Sequence, residues 1–215
     1  MNIFDFLEKG GLLMVPMAVC LVLGLLLFLE RLYGLARSRV LPDDLVRTVL
    51  KLVNEGRFDH AETLCLKSGS AYSQIAHAAI KQGRAPRAHL KSVVDEKGAL
   101  EVARLEKRIG VIGTLATIAP LLGLLGTVTG MIQVFQKIAE QADPQIDVLA
   151  GGIWEALVST GAGLTIAIPF YVCYRYLLSL VDGLSIQLEE SALDLIDAMS
   201  FHAGHRPDDT MVEEP

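Results

Sequence analysis

The chain has 215 residues, 52% hydrophobic and 20% charged, with a formal net charge of −6. A mean hydropathy of +0.43 is high for a soluble domain, where roughly 45–50% apolar residues, glycine included, is usual. The acidic balance comes with no basic groove motif, which speaks against a nucleic-acid binder, and three cysteines supply neither a disulfide framework nor a zinc spacing.

The N-terminus, "MNIFDFLEKG", carries Asp5 and Glu8 where a signal peptide carries cations. Ile3, Phe4 and Leu7 share one helical face, which predicts a short interfacial helix over 1–9. Gly10–Leu29 is uncharged. A span needs about 20 mostly apolar residues to cross the hydrocarbon core, so residues 10–30 are predicted as the first transmembrane helix.

Residues 31–108 read as a helical cytoplasmic domain. "LPDDLVRTVLKLVNEG" opens on a Pro-Asp-Asp start signal, places Val46, Val49, Leu50 and Val53 at helical spacing, and stops at Asn54-Glu55-Gly56. Further helices are predicted over Asp59–Leu66 and near Tyr72–Lys81. From about Arg87 the pattern stays helical into the second apolar run, with Lys97 and Glu101 spaced to pair across a turn. His60, His77 and His89 read as ordinary surface or packing residues.

The second transmembrane helix is predicted over 109–136, uncharged from Ile109 to Gln136, and the third over 148–174, interrupted only by Glu155. The acidic 137–147 connection, "KIAEQADPQID", is predicted as a periplasmic loop. Apolar residues at Leu177, Leu180, Leu184, Leu188, Ala192 and Leu195 continue the helical period through 175–200. One helix from Val148 to Met199 would be on the order of 75 Å long at 1.5 Å per residue, more than twice the core thickness. Residues 201–215 read as a disordered acidic tail. The fold class is therefore an all-α integral membrane protein: three transmembrane helices, the second and third with long cytoplasmic extensions, and a helical cytoplasmic domain.

All but Lys9 and Lys137 of the 19 lysines and arginines fall between 31 and 108 or after the third span. The bias of cations toward the cytoplasm puts those segments inside, the N-terminus and the 137–147 loop in the periplasm, and the C-terminus in the cytoplasm.

"APLLGLLGTVTGMIQVF", Ala119–Phe135, holds a proline, three glycines and two threonines in an uncharged run. In water these residues weaken a helix; in lipid, small and hydroxylated residues let helices approach closely. Gly123, Gly126, Gly130, Ser159 and Gly163 are the candidate packing residues, and Pro120 and Pro169 are candidate kink sites. Glu155 is the one carboxylate inside any span. Such residues mark functional sites by default, although Glu155 is also close enough to Asp147 to lie at the outer interface. Thr127 and Thr160, read singly, are better explained by packing than by transport. No phosphate-binding loop, nucleophile elbow or metal-ligand cluster is present, so no cofactor and no enzyme activity are expected.

"APLLGLLGTVTGMIQVF" followed by "GGIWEALVSTGAGLTIAIPF" resembles the signature of the MotA/TolQ/ExbB proton channel family. The three-span layout with a large segment after the first span is similar to its ExbB and TolQ branch; the flagellar MotA branch has four spans. The resemblance implies a homopentamer around the transmembrane helices of a bitopic ExbD- or TolR-like partner with an intramembrane aspartate. It further implies an inner-membrane motor driven by proton motive force, passing work to the outer membrane through TonB-like or Tol proteins. Residue by residue, Thr127 in "GTV" matches the family's pore-facing span-two threonine, and Glu155 and Thr160 in "EALVST" match its span-three glutamate and threonine. These three form the implied proton pathway. Here "GGIWEAL" replaces the commoner "APGIAEAL" and sets Trp154 beside the glutamate.

A titratable path needs more stops than one glutamate and a few hydroxyls, which independently asks for a partner's carboxylate. The implied role is an ExbB-like subunit energising TonB-dependent uptake. The alternatives are a TolQ-like role in envelope maintenance and division, and a non-conducting membrane scaffold. A solute transporter is disfavoured by the lack of inverted repeats.

Overall fold

The computed structural model describes residues 13–83, 85–140 and 146–204. Among them are eight α-helices and no strand, and three of those helices include stretches long and apolar enough to cross a membrane. This is the all-α membrane architecture that the apolar runs predict. The expected interfacial helix over 1–9, residues 141–145 of the loop and residues 205–215 of the tail lie outside the described residues.

The chain divides into two compact units, residues 1–31 with 108–177, and residues 32–107 with 178–215. The first contains most of α1 (Met14–Gly34), α7 (Ile109–Glu140) and the leading part of α8 (Ile146–Gly204). The helix of α1 continues four residues beyond the sequence-predicted span end at 30, because intrahelical hydrogen bonding does not stop where the hydrocarbon does. α7 runs through Pro120 and α8 through Pro169.

In this first unit α1 buries only a stripe, Met14, Met17 and Gly24. Met14 and Met17 pack with Ala162, joined by Leu13, Leu122 and Ile166. At Gly24 the ring of Phe170 fills the place of a side chain: a Cβ there would stand 2.5 Å from the ring's outermost carbon. Much of the rest of α1, including Val15, Val19, Leu21, Leu25, Leu26 and Leu29, is exposed, as a lipid-facing surface should be. At its C-terminal end Glu30 accepts from Arg31 at 3.0 Å and from Arg108 Nη1 at 2.6 Å, which ties α1 to the residue preceding α7.

The second unit holds α2 (Arg37–Val40), α3 (Asp43–Asn54), α4 (Phe58–Lys67), α5 (Ala71–Ile80), α6 (Arg87–Lys107) and the trailing part of α8. Gly56, at φ +73°, and Gly83, at φ +61°, follow α3 and α5 in the left-handed conformation that glycine adopts without strain. α5 begins with a side-chain cap, the Ser73 N–H donating to Ser70 Oγ at 3.2 Å.

Val49, Val53, Ala61, Cys65, Tyr72 and Ile75 are buried here, as are Leu90, Leu188, Leu195 and Ile196. Each aliphatic side chain of this size contributes about 1.5–3 kcal/mol by leaving water. Burial pushes the Cys65 thiol up to about 11, with the Glu62 carboxylate adding to the effect. Burial also raises Tyr72 well above the usual phenol range, with smaller contributions from Cys65 and Asp194.

The expected pair Lys97–Glu101 forms at 3.2 Å and is joined by Arg104 at 2.7 Å. Two cations offset the burial of Glu101, which is 6% exposed. Arg87 reaches Asp197 at 2.8 Å and fastens α6 to α8.

Candidate functional site: a hydroxyl pair between two apolar helices

The site lies where α7 and the leading part of α8 touch, and glycine makes it possible. A Cβ on Gly163 would stand 2.6 Å from the Ala119 carbonyl oxygen. One on Gly123 would stand 2.9 Å from the Ser159 carbonyl oxygen and 3.0 Å from Thr160 Cα. At Gly126 the Ser159 hydroxyl occupies the space a side chain would need, and at Gly130 a Cβ would come within 2.9 Å of Ala156 Cβ. All five packing candidates therefore sit on this contact, Gly123 and Gly163 against backbone and Gly126 and Gly130 against short side chains, as small-residue helix pairs do in lipid.

That proximity lets short side chains reach across. Thr160 Oγ1 donates to the Gly123 carbonyl at 2.9 Å. Thr127 Oγ1 lies 3.2 Å from the Ala156 carbonyl, and the hydroxyls of Thr127 and Thr160 bond each other. Buried Ser159 lies 2.8 Å from the Ala156 carbonyl and 3.3 Å from that of Gly123. Thr127 Oγ1 also lies 3.4 Å from the Gly123 carbonyl of its own helix; each threonine has one proton, and two settings carry the pair's bond across to the opposite helix. In one, Thr127 donates to Thr160 and Thr160 donates to Gly123. In the other, Thr160 donates to Thr127 and Thr127 donates to Ala156. Both settings use both protons, and both end on a backbone carbonyl of the opposite helix.

Glu155 directly precedes Ala156, whose carbonyl meets Thr127. It is half-buried and lines a groove of about 440 Å³ with Gln133, Lys137, Asp147, Gly152 and Trp154. Trp154 is 59% exposed. Glu155 therefore shares its surroundings with a cation and a second carboxylate at the charged ends of α7 and α8. Reasoning from the sequence did not connect Lys137 or Gln133 with Glu155. The available signal was that Lys137 is the one cation between the second and third spans.

The other span threonines turn back on their own helices: Thr114 donates to Gly110, Thr117 to Gly113, Thr129 to Leu125 and Thr165 to Gly161, at 2.8–3.0 Å. Among the described residues no three His, Cys, Asp or Glu side chains gather as a metal site.

The chain is similar in sequence to three biopolymer transport proteins. A protein of Methanothermobacter thermautotrophicus, named as a homolog of the biopolymer transport protein ExbB, is 26% identical over 200 residues, covering 93% of this chain and 69% of that protein. An ExbB-like biopolymer transport protein of Synechocystis is 29% identical over 214 residues, 96% of this chain and 83% of its own. The biopolymer transport protein ExbB of Pseudomonas putida is 24% identical over 167 residues, 74% of this chain and 51% of that protein. Residues 67–190, more than half of the chain, match the profile of the MotA/TolQ/ExbB proton channel family. That stretch contains α7, the hydroxyl pair and Glu155, and the chain belongs to this family as an ExbB-like, membrane-embedded subunit of the proton-channel type.

Proposed function

We propose that the chain is a stator subunit of an inner-membrane motor that couples proton motive force to work at the outer membrane, in the ExbB manner, energising TonB-dependent uptake. It acts as a homopentamer around a bitopic ExbD- or TolR-like protein whose intramembrane aspartate gains and loses the proton. The N-terminus is periplasmic and the C-terminus cytoplasmic, in keeping with the lysine and arginine bias. The chain binds and orients; it has no enzyme activity of its own.

The observation that carries this reading is the Thr127–Thr160 hydroxyl pair, held at the α7–α8 contact with Thr127 3.2 Å from the carbonyl of Ala156, the residue after Glu155. Its hydroxyls can reverse direction without losing a hydrogen bond, so they can follow a change of charge on a neighbouring acid. Glu155, in its groove with Lys137 and Asp147, sets the local field at the entrance. The test is proton flux through the reconstituted complex with the partner, using Glu155→Ala and Thr127→Ala, with assembly measured separately by native mass spectrometry. Flux at the unsubstituted level in both variants, with normal assembly, would overturn the roles assigned to them.

A second reading is favoured by one observation: several span hydroxyls already donate to carbonyls of their own helix. A non-conducting scaffold needs nothing more. It requires Glu155→Gln to have no functional cost and bulky replacements at Gly126 or Gly130 to break the complex. A TolQ-like role in envelope maintenance shares the same site and is separated from the ExbB-like role by which outer-membrane client fails when this chain is deleted.

A further inference from the structure

In the second unit, α6 and the trailing part of α8 enclose a groove of about 390 Å³. Val94, Val102, Leu188 and Ala192 give it an apolar floor, and Asp95, Glu106 and Glu189 give it an acidic rim. Gly98 also lines it, and a Cβ there would meet no atom within 4 Å. From Leu178 onward α8 carries Asp182, Glu189, Glu190, Asp194 and Asp197, with no lysine or arginine before it ends at Gly204. Among the described residues Asp197 alone of these five has an ion-pair partner, Arg87.

The other side of α6 has the opposite character. Leu100 is 53% exposed, the Arg104 side chain, which also pairs with buried Glu101, is 67% exposed, and Lys107 is exposed. At 3.6 residues per turn, Leu100 and Arg104 point about 140° and about 180° away from Asp95. They also lie between Asp95 and Glu106 along the helix. The basic, leucine-centred ridge is thus level with the acidic, apolar-floored groove and faces the other way.

Two unlike, complementary faces on opposite flanks of one chain make a heterologous contact, which either closes into a ring or runs on as a filament. Copies held in a bilayer are related by rotation about its normal, which leaves the ring. We propose that the groove rimmed by Asp95, Glu106 and Glu189 receives the Leu100–Arg104 ridge of a second copy of this chain, joining the second units head to tail. This rests on the ring reading above and names the surface that closes it. Charge complementarity selects a second copy over the chain's own C-terminal segment, "HRPDDTMVEEP", whose carboxylates would meet carboxylates.

The experiment uses the full chain with Cys20, Cys65 and Cys173 replaced by alanine. Leu100→Cys and Glu189→Cys are introduced singly and together, and the membrane-embedded protein is treated with a short bismaleimide. The double variant is expected to give a ladder of covalent oligomers, and each single variant none. Gly98→Trp, which fills the groove where the chain itself leaves space, is expected to abolish the ladder while leaving the melting temperature of the chain in place. A covalent dimer from Leu100→Cys alone would mean symmetric pairing and would overturn the proposal. A missing ladder in the double variant, with the oligomer still present by native mass spectrometry, overturns this surface and leaves the ring reading standing. A monomer by native mass spectrometry overturns the ring reading itself.

Discussion

The α-carbon of Gly163 stands so close to the carbonyl oxygen of Ala119 that even a methyl group would come within 2.6 Å of it. The obstacle is backbone, which cannot swing aside as a flexible side chain does. Gly163→Ala should therefore lower the melting temperature of the detergent-solubilised protein, with an overpacking cost of about 1–3 kcal/mol. Gly161, two residues away, has nothing within 4 Å of its would-be Cβ. Gly161→Ala should stabilise the helix, by up to about 1 kcal/mol. Equal effects of the two changes would contradict the contact.

Thr160→Val keeps shape and removes the proton given to Gly123 and the acceptor offered to Thr127. Hydrogen bonds between membrane helices are worth about 0.6 kcal/mol on average and about 1.7 at most. A loss in that range is expected in thermal unfolding, with Thr160→Ser restoring most of it. A valine variant as stable as the parent would show that the hydroxyl pair contributes nothing to holding α7 against α8.

Alkaline pH should weaken the second unit. The Cys65 thiol is raised from 9.0 to about 11 in the folded protein, so the unfolded chain releases this proton first. Between those values the unfolded state binds fewer protons, and stability falls as pH rises. The contribution is fully present below pH 9 and is lost by about pH 11. The urea midpoint followed by circular dichroism from pH 8 to 11 measures this, and Cys65→Ala should flatten the curve. A slope unchanged in that variant would assign the effect to another group.

Tyr72→Phe should be neutral or stabilising. The ring is fully buried, and its hydroxyl oxygen has no hydrogen-bond partner among the described residues. Removing an unsatisfied buried polar atom while keeping the ring relieves a desolvation penalty of about 1–3 kcal/mol. A clear drop in the melting temperature would mean that the hydroxyl is satisfied in the membrane-bound protein.

Some of this was legible in one dimension. A run of uncharged residues is a local property, so the three apolar helices stand out, as do the stops at Gly56 and Gly83. The pair Lys97–Glu101 is equally local. Glycine spacing in "GLLGTVTG" marks a close-packed face, but not what the face meets. That Gly123 faces Ser159 and Thr160, and that Ala119 faces Gly163, depends on the register between two helices, which packing sets and neither helix encodes alone. The same limit hid Arg108 from Glu30, which are far apart in sequence, and Lys137 from the Glu155 groove. Arg104 was visible at i+3 from Glu101, yet the burial that makes a second cation useful comes only from the folded unit. α8 also carries its period through Phe201–Gly204, where polar composition had pointed to the start of a tail.

From Gly130 to Gly163 the two helices meet with atoms of one occupying the places where side chains of the other would be. No file of water molecules fits along that seam. Any conduit for ions must run along the flank of the α7–α8 pair, and a flank has only one wall. One flank is covered by α1; on the function proposed above the other is closed by a partner polypeptide, so one copy of this chain in a bilayer is expected to be electrically silent however intact its own site is.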